Sequence, residues 1–290
     1  MLRALTFLSR DGVEICDIAC RHRRGRGLTG EQAGAHAIVF IRRGCFVRSV
    51  DGVEGTLDPT VAYCMNPGEE QRYDHPHDHG DDCTSLVLHP TLLASLWGEE
   101  EKLPSEPLPT SREIDLEHRL LVSAARRDGE EHELFERAIT LAARMLEQAD
   151  PRRVASGRPA SSHAHRALAD GAREILAASP ERSLPELARM LAVSPHHLSR
   201  VFRALTGHTV SRHRMRLRAR DALERIAGGE RNLARLASDL GLADQSHLCR
   251  VIRRETGSPP SALRGLLASA ARESRSAPSR PMDRTRRVTP

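Results

Sequence analysis

Between residues 13 and 88 the apolar positions fall in short alternating or continuous runs: "VEICDI", "AHAIVFI", "CFVRSV", "VEGTL", "VAYCM" and "TSLVLH". The turn signals "DG" at 51–52 and "NPG" at 66–68, and a polar His/Asp segment, separate them. That spacing predicts a small antiparallel β domain, barrel or sandwich, within residues 1–98. After Pro90 the period changes. "TLLASLW" predicts a short helix and "GEEEKLPSEPLPTSRE" a Pro- and charge-rich connector. Two amphipathic helices are expected over 113–127 and 131–148, with Leu116, Leu120 and Leu121 on the first and Leu134, Ala138, Leu141 and Met145 on the second. Pairing of two copies of the chain and packing of a hairpin on the β domain both fit these stripes. Residues 99–148 thus form a region of connector and helices, and "ADPRRVASGRPASSH" at 149–163 reads as a linker.

Residues 164–268 are helical in period and say nearly the same thing twice. An offset of 49 aligns Leu184, Leu187, Ala188 and Leu191 with Leu233, Leu236, Ala237 and Leu240. One residue more aligns Leu198, Arg200, Val201, Arg203, Thr206, Gly207 and Ser211 with Leu248, Arg250, Val251, Arg253, Thr256, Gly257 and Ser261. Each copy predicts a short helix, a tight turn and a longer helix. Ser183 and Glu186 have the spacing of a capping box, and Gly207 and Gly257 are helix stops. Leu198, Val201, Phe202 and Leu205 recur at helical spacing and are assigned to the core. Removing core positions leaves His196, His197, Ser199, Arg200 and Arg203 outward in the first copy. Asp244, Gln245, His247, Arg250, Arg253 and Arg254 remain outward in the second, where Asp244 equally suits a helix cap. Between the copies, "SRHRMRLRARDALERIAGGE" continues the helical pattern through Met215, Ala219, Ala222 and Ile226. A strut of about sixteen residues would span roughly 24 Å. The last stretch, 269–290, lacks apolar periodicity and is expected to be a disordered basic tail.

Charge separates the halves. Residues 1–162 hold 20 basic and 27 acidic side chains, 163–268 hold 18 and 10, and 269–290 hold 6 and 2, or −7, +8 and +4. The basic second half points to a polyanion, and the outward Arg, Gln and His side chains suit base edges and phosphates in a major groove. Two such helices on a strut would read adjacent groove segments on double-stranded DNA, roughly 34 Å apart. No apolar run is long enough for a membrane span and no secretory pattern opens the chain, so a cytoplasmic location and no membrane partner are expected. The six cysteines show no disulfide framework.

The span from about 165 to 266 resembles the DNA-binding domain of AraC/XylS-type transcriptional regulators. Their second half carries a pattern like "IA...GF.D.S.F.R.F....G..P..YR". Here it reads Leu236, Ala237, Gly241, Leu242, Asp244, Ser246, Leu248, Arg250, Ile252, Gly257, Pro260 and Arg264. Leu248, Ile252 and Leu263 stand where aromatic residues are usual, and Ala192 replaces the turn glycine that the second copy keeps as Gly241. The resemblance implies an α+β chain of two domains: an N-terminal antiparallel β barrel or sandwich, cupin-like, with helices after it, and a C-terminal all-α tandem helix-turn-helix domain. It further implies a sensor or dimerisation role for the β domain, an effector of unknown identity, a homodimer as one assembly, and RNA polymerase as a candidate partner.

The segment "YDHPHDHGDDC" at 73–83 concentrates ligand-type side chains, with His75, His77 and His79 on one side of an extended chain as metal candidates. Cys16, Cys20 and His22 form a second loose cluster. A polar loop between strands fits the same residues, and no cofactor is expected. Two function classes follow: a DNA-binding regulator without catalytic activity, and a metal-dependent cupin-type enzyme or metal sensor fused to a DNA-binding module. An architectural DNA binder with little sequence preference is a third.

Overall fold

The computed structural model describes residues 2–21, 30–76, 80–97, 102–127, 129–149 and 163–269. The strands are β1 (Leu2–Arg10), β2 (Val13–Cys20), β3 (Glu31–Gln32), β4 (His36–Arg43), β5 (Phe46–Val50), β6 (Val53–Leu57), β7 (Val61–Met65), β8 (Glu70–Asp74), β9 (Asp81–Leu88) and β10 (Leu108–Pro109). They form two sheets, ordered β1-β2-β9-β4-β7-β10 and β3-β8-β5-β6, and the pairings are antiparallel.

Strand β4 shows why the larger sheet is apolar on both faces. Ala37, Val39 and Ile41 point to the small sheet, where they pack with Phe46, Leu57, Val61, Tyr63 and Cys83. Ile38 and Phe40 point the other way, into a core shared with helices α1 (Pro90–Trp97), α2 (Arg112–Ala125) and α3 (Glu131–Ala149). A strand covered on both sides has no polar face to alternate with, hence the unbroken "AIVFI".

Four strands went beyond the sequence reading: β1, β8 and the two-residue β3 and β10. Within residues 1–98 the strand pattern was read from Val13 onward, yet β1 precedes it and pairs with β2 across Asp11 and Gly12, both at positive φ. As an edge strand with mostly exposed side chains, β1 has little contrast between its faces. β8, read as part of a polar segment, turns Gln71 and Tyr73 inward. Arg48 donates to Gln71 Oε1 at 2.9 Å, its guanidinium lies 4.6 Å from the Tyr63 ring centroid, and Tyr73 donates to the same Gln71 oxygen at 2.6 Å. The inside of the small sheet is therefore partly polar, which hides the strand from a hydrophobicity pattern.

Helices α2 and α3 pack on one another and on the larger sheet, so the chain covers its own stripes. Leu134, Ala138, Leu141 and Met145 are buried there with Leu121. Leu116 and Leu120 leave that group and pack against the C-terminal helices, so α2 is sandwiched between the two halves.

Seven helices follow among the described residues: α4 (His163–Ala178), α5 (Leu184–Met190), α6 (Pro195–Thr206), α7 (Val210–Ala227), α8 (Leu233–Asp239), α9 (Gln245–Thr256) and α10 (Pro260–Ser269). α4 and α10, which the repeat alone did not indicate, close the two lobes. Ala169, Ala172 and Leu176 of α4 pack with Leu187, Ala188, Leu198 and Phe202. Leu263 of α10 packs with Leu236, Ala237, Leu248 and Ile252. α7 serves both lobes, giving Val210 and Leu217 to the first and Ala219, Ala222, Leu223 and Ile226 to the second.

Candidate nucleic-acid interface

Local chemistry sets both helical units. In the first, the Ser183 backbone N–H donates to Glu186 at 2.8 Å and the Glu186 N–H donates back to Ser183 Oγ at 3.4 Å, completing the capping box. Pro195 lies in the first turn of α6, where no helical amide partner is needed, and Ser194 Oγ accepts from the His197 N–H at 3.2 Å. In the second unit Asp244 Oδ1 accepts from the His247 N–H at 2.6 Å, so this carboxylate caps α9. The turns match. Val193 N–H donates to the Ala188 carbonyl and Leu242 N–H to the Ala237 carbonyl, each at 2.9 Å, around a residue of positive φ, Ala192 or Gly241.

The outward residues of both units lie on α6 and α9 as the core subtraction placed them. His196, Arg200 and Arg203 are exposed on α6, and His197 and Ser199 are half-buried beside them. On α9, Gln245, Arg250, Arg253 and Arg254 are exposed and His247 is half-buried. The His197 ring packs 5.7 Å from that of His165 on α4. Leu248, Ile252 and Leu263, in place of aromatic residues, are all fully buried. Cys249 is half-buried on α9.

Much of the basic surplus, however, is internal. His213, Arg216, Arg220 and Glu224 recur at three- and four-residue spacing on α7 and form a row facing the β domain and α2. At one end Asp58, fully buried in the β6–β7 turn, receives Arg173 Nε of α4 at 2.9 Å and lies 3.3 Å from His213 Nε2. Burial alone would raise the Asp58 carboxyl, but Arg173 and His213 hold it well below its ordinary 3.8. Burial lowers His213 below 6.5 against the pull of Asp58, so the ring is neutral near pH 7.

In the middle of the row, Arg216 and Arg220 donate to the Thr110 carbonyl at 2.9 and 3.3 Å, and Arg220 also reaches Thr110 Oγ1 and the Pro59 carbonyl. Burial and then Arg220 bring Arg216 down to about 10. At the far end Glu224 takes Arg119 of α2 at 3.1 Å and Arg126, at the C-terminal cap of α2, at 3.3 Å, and lies 3.8 Å from Arg42 of β4. Arg42 is fully buried and bonded to Asp17 and Thr84. A shallow cleft lined by Arg119, Arg126, Arg127 and Glu224 opens where α2 meets α7.

None of these docking residues was singled out in the sequence. The spacing of His213, Arg216, Arg220 and Glu224 was available as a signal, but an Arg-rich helix in a basic region reads equally well as a solvated face. Part of the acid excess of the first half is spent on these contacts, as Asp58 and Asp115 show: Asp115 pairs with Arg119 at 3.1 Å and approaches Arg220 at 3.9 Å.

Residues 187–265 match the family model of the helix-turn-helix domain. The C-terminal region is an AraC-type helix-turn-helix domain. No curated protein matches the chain significantly. Among solved structures, apo ToxT from Vibrio cholerae is similar at 11% identity over 90% of this chain and 99% of that one, with a TM-score of 0.37. A DNA-binding transcriptional dual regulator from Escherichia coli is similar at 19% identity over 39% of this chain and 99% of that one, at 0.32. A cupin superfamily protein from Desulfitobacterium hafniense is similar at 13% identity over 31% of this chain and 78% of that one, at 0.26.

The second sequence-based site comes out rearranged. His75 is buried and its Nε2 lies 2.7 Å from Asp81 Oδ1. Hydrogen bonding to the Asp81 carboxylate, and then to Cys20, raises its pKa to about 10. His77, His79 and His22 lie outside the described residues. Cys16 does not join Cys20 but sits beside Glu14 and Thr6, at 3.3 and 3.8 Å. No helix among the described residues is long and apolar enough to cross a membrane.

Proposed function

We propose that this protein is a sequence-specific transcription regulator of the AraC/XylS type, in which α6 and α9 read two adjacent major-groove segments of promoter DNA. The observation that carries the reading is a contrast between two sets of arginines. Arg173, Arg216, Arg218 and Arg220 are buried and bonded to the protein's own oxygens. Arg200 and Arg203 are exposed at places equivalent to those of Arg250 and Arg253 in the second unit, where Arg254 is exposed beside them. A merely solvated face would have no reason to repeat its outward arginines. His196, His197, Ser199, Gln245 and His247 complete the proposed contact set, with Gln suited to adenine and Arg to guanine or phosphate. The 18-residue α7 spans roughly 27 Å, a length that suits the separation of successive major-groove faces.

The β domain is proposed to modulate this binding in response to a small molecule. Support comes from its polar interior around Arg48, Gln71 and Tyr73, and from α2, which touches both halves and would transmit a change in one to the other. Genome-wide binding-site capture with the full-length protein should return an asymmetric motif spanning about two helical turns. Arg200→Ala and Arg250→Ala should each weaken specific binding by about 1–3 kcal/mol and relax preference in different halves of the motif. Diffuse binding that unrelated duplex competes away equally would instead identify an architectural DNA binder.

A further inference from the structure

We infer that the Cys20 thiol, the His75 imidazole and the Asp81 carboxylate form a binding site for one divalent transition-metal cation of the zinc type, at the end of the β sandwich remote in function from the helix-turn-helix domain. One ligand atom from each of these residues lies within 4.8 Å of those of the other two, and all three residues are buried. They come from three places in the chain: Cys20 ends β2, His75 follows β8, and Asp81 opens β9. Cys20 and Asp81 are direct cross-strand partners, so the sheet register itself holds two of the ligands side by side.

The surroundings are built to keep the three together. Gly80 has φ +62°, and a Cβ there would stand 2.1 Å from the Cys20 carbonyl oxygen. Gly44, at φ +91°, would place a Cβ 2.4 Å from the Gly80 carbonyl oxygen. A side chain at either position would push the Gly80–Asp81 backbone away from its close approach to Cys20 or Gly44. From outside, Arg21 donates to the Cys20 and Asp81 carbonyls at 3.0 and 3.1 Å and pairs with Asp82 at 2.6 Å. Asp81 is oriented through its other oxygen: Oδ2 accepts from the Cys83 thiol at 3.4 Å, which leaves Oδ1 facing His75. Such outer partners are what fixes a metal ligand in place.

The donor set selects the cation. One sulfur, one nitrogen and one oxygen suit zinc and its late first-row neighbours, and not calcium or magnesium, which take oxygen. A thiolate and a carboxylate together balance a charge of two, so the occupied site would be neutral where it is buried. Bond lengths of roughly 2.0–2.3 Å imply tetrahedral edges of roughly 3.3–3.7 Å, so the His75–Asp81 contact must open by less than about 1 Å. Three protein ligands leave a fourth position for water or a small donor. The site stands apart from the proposed DNA reading, and either can fail without the other.

The test uses the full-length protein, freed of metal and titrated with cobalt(II) alone. One cobalt should bind per chain, with a thiolate-to-metal charge-transfer band, and zinc should displace it. Cys20→Ser should abolish the band, and Asp81→Asn should weaken binding by more than about 100-fold, since a lost ligand costs more than a lost outer partner. Cys16→Ser should change neither. Absence of stoichiometric uptake, or an unchanged band in Cys20→Ser, would overturn the site. Because Cys20 is buried and its variant is at risk of misfolding, X-ray absorption on the zinc-loaded unsubstituted protein provides a second readout. A shell with one sulfur among nitrogen and oxygen supports the site; a shell without sulfur sinks it.

Discussion

Ala192 adopts φ +54° at the turn position where the second unit has Gly241 at φ +63°. For a residue with a Cβ the left-handed region costs about 1–2 kcal/mol, and glycine gives back roughly 0.5–1 kcal/mol in unfolded-chain freedom. Ala192→Gly is therefore expected to stabilise the protein by about 0.5–1 kcal/mol, read as a shift in urea midpoint at constant slope. The reverse change in the second unit should go the other way. A Cβ on Gly241 would lie 3.3 Å from Arg218 Nη2, adding crowding to strain, so Gly241→Ala should cost about 1 kcal/mol or more. If both variants melt with the unsubstituted protein, the two turns are not held in the same conformation. The sequence offered the aligned pair of positions; the sign of φ at Ala192 needed the Val193 and Leu242 hydrogen bonds that close both turns.

Helix α7 carries two messages on different sides. Its apolar positions, Ala219, Ala222 and Ile226 among them, follow the helical period and were legible as core. Its polar row, His213 to Glu224, looked like surface until the β domain was set against it. Asp58 shows what that row is worth. Replacing it with alanine would leave Arg173 and His213 facing a buried position without their carboxylate. Asp58→Ala should therefore destabilise by about 3–5 kcal/mol, measured by equilibrium unfolding. Adding Arg173→Leu should recover part of the loss, because the orphaned charge is then gone as well. An additive double variant would mean that the pair acts independently and that the docking is carried elsewhere on the row.

Across the molecule, several buried titrating groups in both halves respond to acid in the same direction. His118 stacks on Phe40 at 4.7 Å, and burial, then Arg42 and Arg119, hold it well below 6.5. His213 is also lowered from 6.5, first by burial. In the unfolded chain both rings take up a proton near 6.5, whereas in the folded chain they resist it. Their contribution to stability is full above that pH and is lost as pH falls below it. Asp58, held below 3.8, continues the loss under more acid conditions. The melting temperature should fall between about pH 6.5 and about pH 5, and His118→Gln should flatten the slope. A melting temperature independent of pH across that interval would show that neither ring is buried as described.

What the sequence determined by itself is what repeats or alternates locally. Helical period and capping residues marked both helix-turn-helix units, and subtraction of their core positions left Arg200 and Arg250 on matching outward faces before any coordinates. Local pattern could not go further, because a side chain's environment depends on what is brought against it. The exposed edge strand β1 and the polar strand β8 had too little contrast to be seen. Arginines of neighbouring helices look alike in sequence, yet Arg216 and Arg220 of α7 are buried against Thr110 while Arg200, on α6, faces outward. The convergence of Cys20, His75 and Asp81 was likewise decided by the tertiary structure, since only the register of β2 on β9 and the closure of Gly80 over Cys20 bring residues up to 61 positions apart within reach of one ion.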